Sequence, residues 1–127
     1  MAEITKVYTK NAPDAIGPYS QAVVVNGMVY TSGQIAINPE TGNVEATTIE
    51  GQTEQIFKNL KAVLEEAGTS LDNVVKTVCF LTDVANDFGA FNAVYEKYIT
   101  NKPARSCVGV KALPKGVIAE VEVIATL

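Results

Sequence analysis

Hydrophobic positions recur every second residue in some stretches and every third or fourth in others, and the switches between the two periods mark the elements. Residues 4–8, Ile4-Thr5-Lys6-Val7-Tyr8, alternate and predict a short first strand. Residues 23–25 and 28–30 flank Asn26-Gly27, a pair suited to a type I′ turn, and predict a hairpin. Its second arm runs out into Thr31-Ser32-Gly33-Gln34, where Gly33 marks a bulge or a close approach of backbone to ligand. Asn38-Pro39-Glu40-Thr41-Gly42 reads as a turn. Thr47 with Glu50 three residues on forms a capping box that opens a helix. Ile49, Thr53, Ile56, Leu60, Val63, Leu64 and Ala67 recur at helical spacing until Gly68 stops it, while Glu54, Lys58, Lys61, Glu65 and Glu66 form the solvated face.

Leu71 to Asn73 reads as a turn, and residues 74–82 as a strand apolar on both faces. Asp83 to Asn86 leads into a second helix with Phe88, Phe91, Tyr95, Tyr98 and Ile99 as its inward stripe. Residues 104–112 and 117–125 are the last strands, joined by Leu113-Pro114-Lys115-Gly116. The order β-β-β-α-β-α-β-β predicts an α+β fold, a mixed sheet with two helices laid on one face. Two helices cover only one face, yet 74–82 and 117–125 are apolar on both. A bare apolar face of that extent marks an association surface, so the pattern predicts an oligomer.

Composition narrows the chemistry. At 127 residues the chain is one domain, 1–127. It has no histidine, which excludes Ser-His-Asp and Cys-His catalysis, and with only two cysteines it offers no ordinary zinc site. No metal and no cofactor is expected. Cys79 and Cys107 lie in different strands and suggest no disulfide framework, Cys79 reading as a buried, inert thiol. A net charge of −4 provides no basic footprint for a phosphate backbone, so no nucleic-acid partner is expected. No signal peptide and no apolar run of membrane-spanning length is visible, and a cytoplasmic location is the expectation.

The stretch richest in chemistry is Lys102-Pro103-Ala104-Arg105-Ser106-Cys107-Val108-Gly109-Val110, read with Glu120. Pro103 ends the helical segment. On the strand after it, Arg105, Cys107 and Gly109 share one face, and Ser106, Val108 and Val110 the other. The final strand carries Glu120 and Glu122 on one face. A guanidinium on one strand and carboxylates on the next form either a place for a small polar molecule or an ordinary cross-strand ion pair. Tyr19, set after the Gly17-Pro18 corner, is either a half-buried packing residue or part of the same place.

These residues have company. Ile16-Gly17-Pro18-Tyr19-Ser20-Gln21-Ala22, Thr31-Ser32-Gly33-Gln34-Ile35, Asn38-Pro39-Glu40-Thr41-Gly42, Asp87-Phe88 with Asn92 and Tyr95, and Pro103-Ala104-Arg105-Ser106-Cys107-Val108 occur in an order and spacing that resemble the reactive intermediate deaminase family, the Rid or YjgF-type proteins, over essentially the whole chain. The resemblance implies a chorismate-mutase-like α+β fold. It also implies a homotrimer with a central β-barrel and three clefts at the subunit interfaces. The activity implied is hydrolysis of 2-imino acids or their enamine tautomers, such as 2-iminobutanoate and 2-iminopropanoate, to 2-keto acids and ammonia. By the same motifs Arg105 clamps the substrate carboxylate and Glu120 positions and polarises the attacking water. Cys107 lines the pocket, Tyr19, Ser32 and Gly33 complete the wall, and Glu122 has no assigned role.

Relatives have also been described as endoribonucleases and translation inhibitors, requirements poorly met by an acidic chain without histidine. A keto-acid-binding regulatory trimer without turnover is the other reading. Two departures from the family pattern affect the pocket: the segment Thr100-Asn101-Lys102 is shorter than in many relatives, with Lys102 where an aromatic is common, and Ala36 replaces a frequent proline.

Overall fold

A computed structural model describes residues 2–127. The elements run β1 (Thr5–Val7), β2 (Ala22–Val25), β3 (Met28–Thr31), β4 (Ile37–Asn38), β5 (Asn43–Val44), α1 (Ile49–Ala67), β6 (Val74–Leu81), α2 (Val84–Tyr98), β7 (Ala104–Gly109) and β8 (Ala119–Thr126), with short 3₁₀ turns at Leu71–Asn73 and Pro114–Gly116. Six strands form one sheet in the order β1-β2-β3-β8-β6-β7. Its pairs are antiparallel except β6 with β7, which are parallel and joined through α2, as a parallel pair requires a crossover. The predicted α+β class, two helices on a mixed sheet, is the observed one.

Helix α1 starts one residue later than the capping box suggests. Thr48 is the N-cap, its side-chain oxygen accepting from the Gly51 N–H at 3.1 Å, and the glycine there leaves no reciprocal carboxylate. Gly68 ends the helix as expected, at φ 95°, with its N–H on the carbonyls of Leu64 and Glu65. The small β4–β5 hairpin surrounds the predicted turn, pairing Ile37 with Val44 and Asn38 with Asn43. Two residues per arm are too few for a period of two to show in sequence.

Alternation along β8 and β6 fixes the layers. Ala119, Val121, Val123 and Ala125 of β8, with Thr77, Cys79 and Leu81 of β6, are buried beneath the helices. Phe57, Leu60 and Leu64 of α1 and Phe91 of α2 fill that side. Full burial of each such side chain stabilises the fold by about 1.5–3 kcal/mol. Tyr30, Val78, Phe80, Val108 and Ile124 belong to the other face, which no helix covers and which stays half-buried to exposed. No helix among the described residues is long and apolar enough to cross a membrane.

Candidate functional site

Glu120 sits on the helix-free face of β8, opposite Phe80 of β6. Beside it the chain leaving β3 makes one isolated antiparallel bridge, Gln34 N–H to the Val121 carbonyl at 2.8 Å and Val121 N–H to the Gln34 carbonyl at 3.1 Å. That bridge lays the backbone of Gly33 directly against the Glu120 side chain. A Cβ at position 33 would stand 2.9 Å from the Glu120 Cδ and 3.1 Å from its Cγ, so only glycine leaves the carboxyl in place. The sequence marks Gly33 for a bulge or a close approach to a ligand; the neighbour that the structure places against it is the Glu120 side chain.

Glu120, Gly33, Ser32 and Tyr19 line one cavity of about 360 Å³, walled further by Pro13, Ile16, Ile35 and Pro114. Burial raises the Glu120 pKa above the ordinary carboxylate range, and the neighbouring charge of Glu122 adds to the effect. Among the described residues no group donates a hydrogen bond to its carboxyl. Ser32 is tied to the backbone instead: its hydroxyl donates to the Ser20 carbonyl at 2.6 Å and its N–H to the Gln21 carbonyl at 2.9 Å. Tyr19 stands at the mouth, half exposed, its hydroxyl accepting from the Ile16 N–H at 3.3 Å.

Arg105 occupies a second station. It lies on the edge strand β7 beside Thr77 of β6, on the helix side. Its Nη1 donates to the Asn92 Oδ1 at 2.7 Å, and its guanidinium carbon lies 4.8 Å from the Tyr95 ring centroid and 5.6 Å from that of Phe88. Phe88, Asn92 and Tyr95 recur at four and three residues and so form one face of α2. Tyr95 is itself fixed by its hydroxyl 2.9 Å from Thr77 Oγ1. The guanidinium thus lies against an aromatic platform, and among the described residues its Asn92 bond leaves other N–H donors for a ligand.

The two stations do not meet within one chain. Strand β6 lies between β7 and β8, and Arg105 projects to the helix side while Glu120 projects to the bare side. This corrects the expectation of a guanidinium and carboxylates on adjacent strands, and it excludes the cross-strand ion pair equally. Cys107 accompanies Arg105, half-buried and packed on the core beside Cys79. Burial pushes its thiol up, against the opposing pull of Arg105, so it is a neutral thiol near pH 7. Cys79, fully buried, is pushed up to about 12 mainly by burial, in keeping with an inert thiol.

Phe88 is a second correction: it is exposed over Arg105 rather than turned into the core. Asn92 was visible only as part of the family-like motif, although it is the polar residue sharing a helix face with Phe88 and Tyr95. Pro13, Asp14, Ile35 and Pro114 lie too far apart in sequence to read as one wall. Among the described residues no group of three or more His, Cys, Asp or Glu side chains could hold a metal ion.

The chain matches the family described as Endoribonuclease L-PSP over residues 9–127. A Lactococcus lactis protein named as a candidate regulator, AldR, is 52% identical over 120 residues, which cover 94% of each chain. The crystal structure of YyfA from Yersinia pestis, a protein of unknown function in the conserved Rid protein family, is similar at a TM-score of 0.95 and 50% identity, covering 98% of this chain and 100% of that one. The crystal structure of TdcF from E. coli, solved with bound serine, is similar at a TM-score of 0.91 and 41% identity, covering 97% of this chain and 98% of that one.

Proposed function

This chain belongs to the Rid family, matched as Endoribonuclease L-PSP, and from that premise we propose that it hydrolyses small 2-imino acids, or their enamine tautomers, to 2-keto acids and ammonia. The substrates in view are 2-iminopropanoate and 2-iminobutanoate, released by pyridoxal-phosphate dehydratases acting on serine and threonine. The observation that carries the reading is Glu120: a half-buried carboxyl with raised pKa, seated against a glycine in a cavity of about 360 Å³, with no donor to it among the described residues.

An imine carbon is already electrophilic, so the protein must hold the substrate, orient a water and move protons. The planar Arg105 fork takes the substrate carboxylate through two parallel hydrogen bonds. Glu120 accepts a proton from water as the water oxygen bonds to C2 and passes it to the imine nitrogen, giving a carbinolamine. It then takes the hydroxyl proton and delivers it to the same nitrogen as the C–N bond breaks and the C=O forms, so that ammonia leaves and Glu120 ends ionised as it began. An enamine first becomes the imine, losing an N–H proton as C3 gains one. A carboxyl whose pKa is raised towards the working pH suits this two-way transfer.

Because Arg105 and Glu120 lie on opposite faces of one sheet, the proposed site draws Arg105 and Cys107 from one copy and Glu120, Gly33, Ser32 and Tyr19 from another. The bare face with Tyr30, Val78, Phe80 and Ile124 is the proposed contact, and the family resemblance makes the assembly a homotrimer with a central barrel. Serine bound to the TdcF relative supports an amino-acid-like carboxylate ligand. The AldR relative is named as a regulator, which favours a second reading for this chain, a regulatory role; we take its form to be a keto-acid sensor without turnover. A sensor needs Arg105 but not Glu120. Threonine dehydratase supplied with threonine, with and without this protein, tests the proposal: faster 2-ketobutyrate release is expected, and an unchanged rate overturns catalysis.

A further inference from the structure

The loop from Thr9 to Tyr19 forms the outer wall of the Glu120 cavity through Pro13, Asp14, Ile16 and Tyr19, yet it contains no strand or helix. Its own hydrogen bonds are local: Asn11 N–H to Thr9 Oγ1, Ile16 N–H to the Tyr19 hydroxyl, and Tyr19 N–H to the Gly17 carbonyl. Among the described residues one side chain from outside reaches its backbone. Gln21, at the threshold of β2 and 2% exposed, accepts from the Thr9 N–H at 2.7 Å through Oε1. Its Nε2 donates towards the carbonyls of Pro13 at 2.9 Å, Thr9 at 3.0 Å and Ala12 at 3.4 Å. Its own backbone carbonyl accepts from the Ser32 N–H, so the loop anchor is bonded to the residue preceding Gly33.

We infer that Gln21 is a positioning residue of this cavity: its buried carboxamide fixes the loop wall, and with it Pro13 and Tyr19, relative to Glu120. For its functional consequence the inference rests on the deaminase reading. Only a primary amide meets the demand of one acceptor and two donors in that place. A leucine has neither, and an ionised glutamate would set acceptors against three carbonyls. The same device holds the far wall, where the buried Asn59 of α1 donates to the carbonyls of Ile35 at 3.2 Å and Ile37 at 2.9 Å.

Gln21→Leu and Gln21→Glu test it in the full chain. For Gln21→Leu, amide hydrogen exchange should quicken across residues 9–19 and stay at wild-type rates in α1 and β8. Its affinity for 2-ketobutyrate, measured by calorimetry, should fall about 10- to 100-fold. Gln21→Glu should bind poorly at neutral pH and recover, relative to wild type at the same pH, as acidification gives its carboxyl a hydrogen to donate. Burial and the facing carbonyls raise the pH of that recovery. Asp14 and Glu120 are the carboxyls sharing the cavity, and referring each point to wild type at the same pH cancels what both proteins have in common.

Exchange that quickens equally in every element, or Gln21→Leu binding like wild type, overturns the inference. If Gln21→Leu does not fold, the acid recovery of Gln21→Glu decides, and its absence counts against the role. Wild-type protein that binds no keto acid removes the deaminase reading instead. The exchange contrast between residues 9–19 and α1 then settles the anchoring by itself.

Discussion

Gly33→Ala separates the fold from the proposed chemistry. The new methyl would lie 2.9 Å from the Glu120 Cδ and 3.1 Å from its Cγ, against about 3.5–4.0 Å for carbon atoms in comfortable contact. The Glu120 Oε2 oxygen stands closer still, so the carboxyl must move by about 1 Å or more. Gly33 is not in the left-handed region, so alanine fits its backbone, and the loss of unfolded-state freedom contributes about 0.4–1 kcal/mol of stability. The Glu120 carboxyl is the end of a flexible side chain and yields before the Gln34–Val121 bridge does. The expected variant is folded, within about 1 kcal/mol of wild type, and displaced at the one carboxyl that matters. A misplacement of about 1 Å costs about 100-fold in rate. Thermal melts and the dehydratase-coupled assay measure the two halves. Wild-type kcat/KM in a folded Gly33→Ala protein would refute the placement of Glu120 against Gly33 as a catalytic requirement, and a melting point many degrees lower would show that the backbone gave way instead.

Glu120→Gln should keep keto-acid binding in calorimetry while turnover falls about 10²–10⁴-fold. Its stability has a sign of its own. The folded Glu120 pKa is raised by burial and by Glu122, so at neutral pH the wild-type fold carries a disfavoured charge that is lost on protonation. Melting curves should show Glu120→Gln equal to or above wild type at pH 7, with the advantage shrinking as pH falls through the raised pKa towards the ordinary carboxylate range; an advantage that grows on acidification contradicts the shift. Arg105→Lys keeps the charge but loses the planar fork on Asn92 and Tyr95, and 2-ketobutyrate affinity should fall by about 10-fold or more in calorimetry. Purified protein should degrade single-stranded RNA no faster than a mock preparation, since a chain of net charge −4 without histidine has little with which to hold or cleave it. Cleavage that co-purifies with the protein and vanishes with Glu120→Gln would overturn that.

What could be read from sequence follows from how local each signal is. α1 was legible because its apolar stripe spans the whole helix and Gly68 closes it. Gln52 and Asn59, buried on that same helix, were not, because an amide that bonds a distant carbonyl looks like a surface residue until the carbonyl is in place. The side chains of Arg105 and Cys107 share a face as the alternation predicts. The strand order was the failure: β7 and β8 follow one another in the chain, and such strands tend to pair, but here β6 separates them. Gly33 reads in sequence as a bulge or a close approach to a ligand; that a carboxylate stands against it depends on a bridge between distant segments.

The central claim is a hydrolytic site made by two copies of the chain, with Arg105 from one and Glu120 from the other. Mixing Arg105→Ala with Glu120→Gln tests it most directly. Each variant alone should be inactive in the dehydratase-coupled assay and should sediment at three times the 13.5 kDa chain mass. Unfolded together and refolded at equal amounts, they should regain about a quarter of wild-type turnover, since each cleft draws its two halves independently from the two variants. Mixed assemblies that form and remain as inactive as their parents would contradict the shared site.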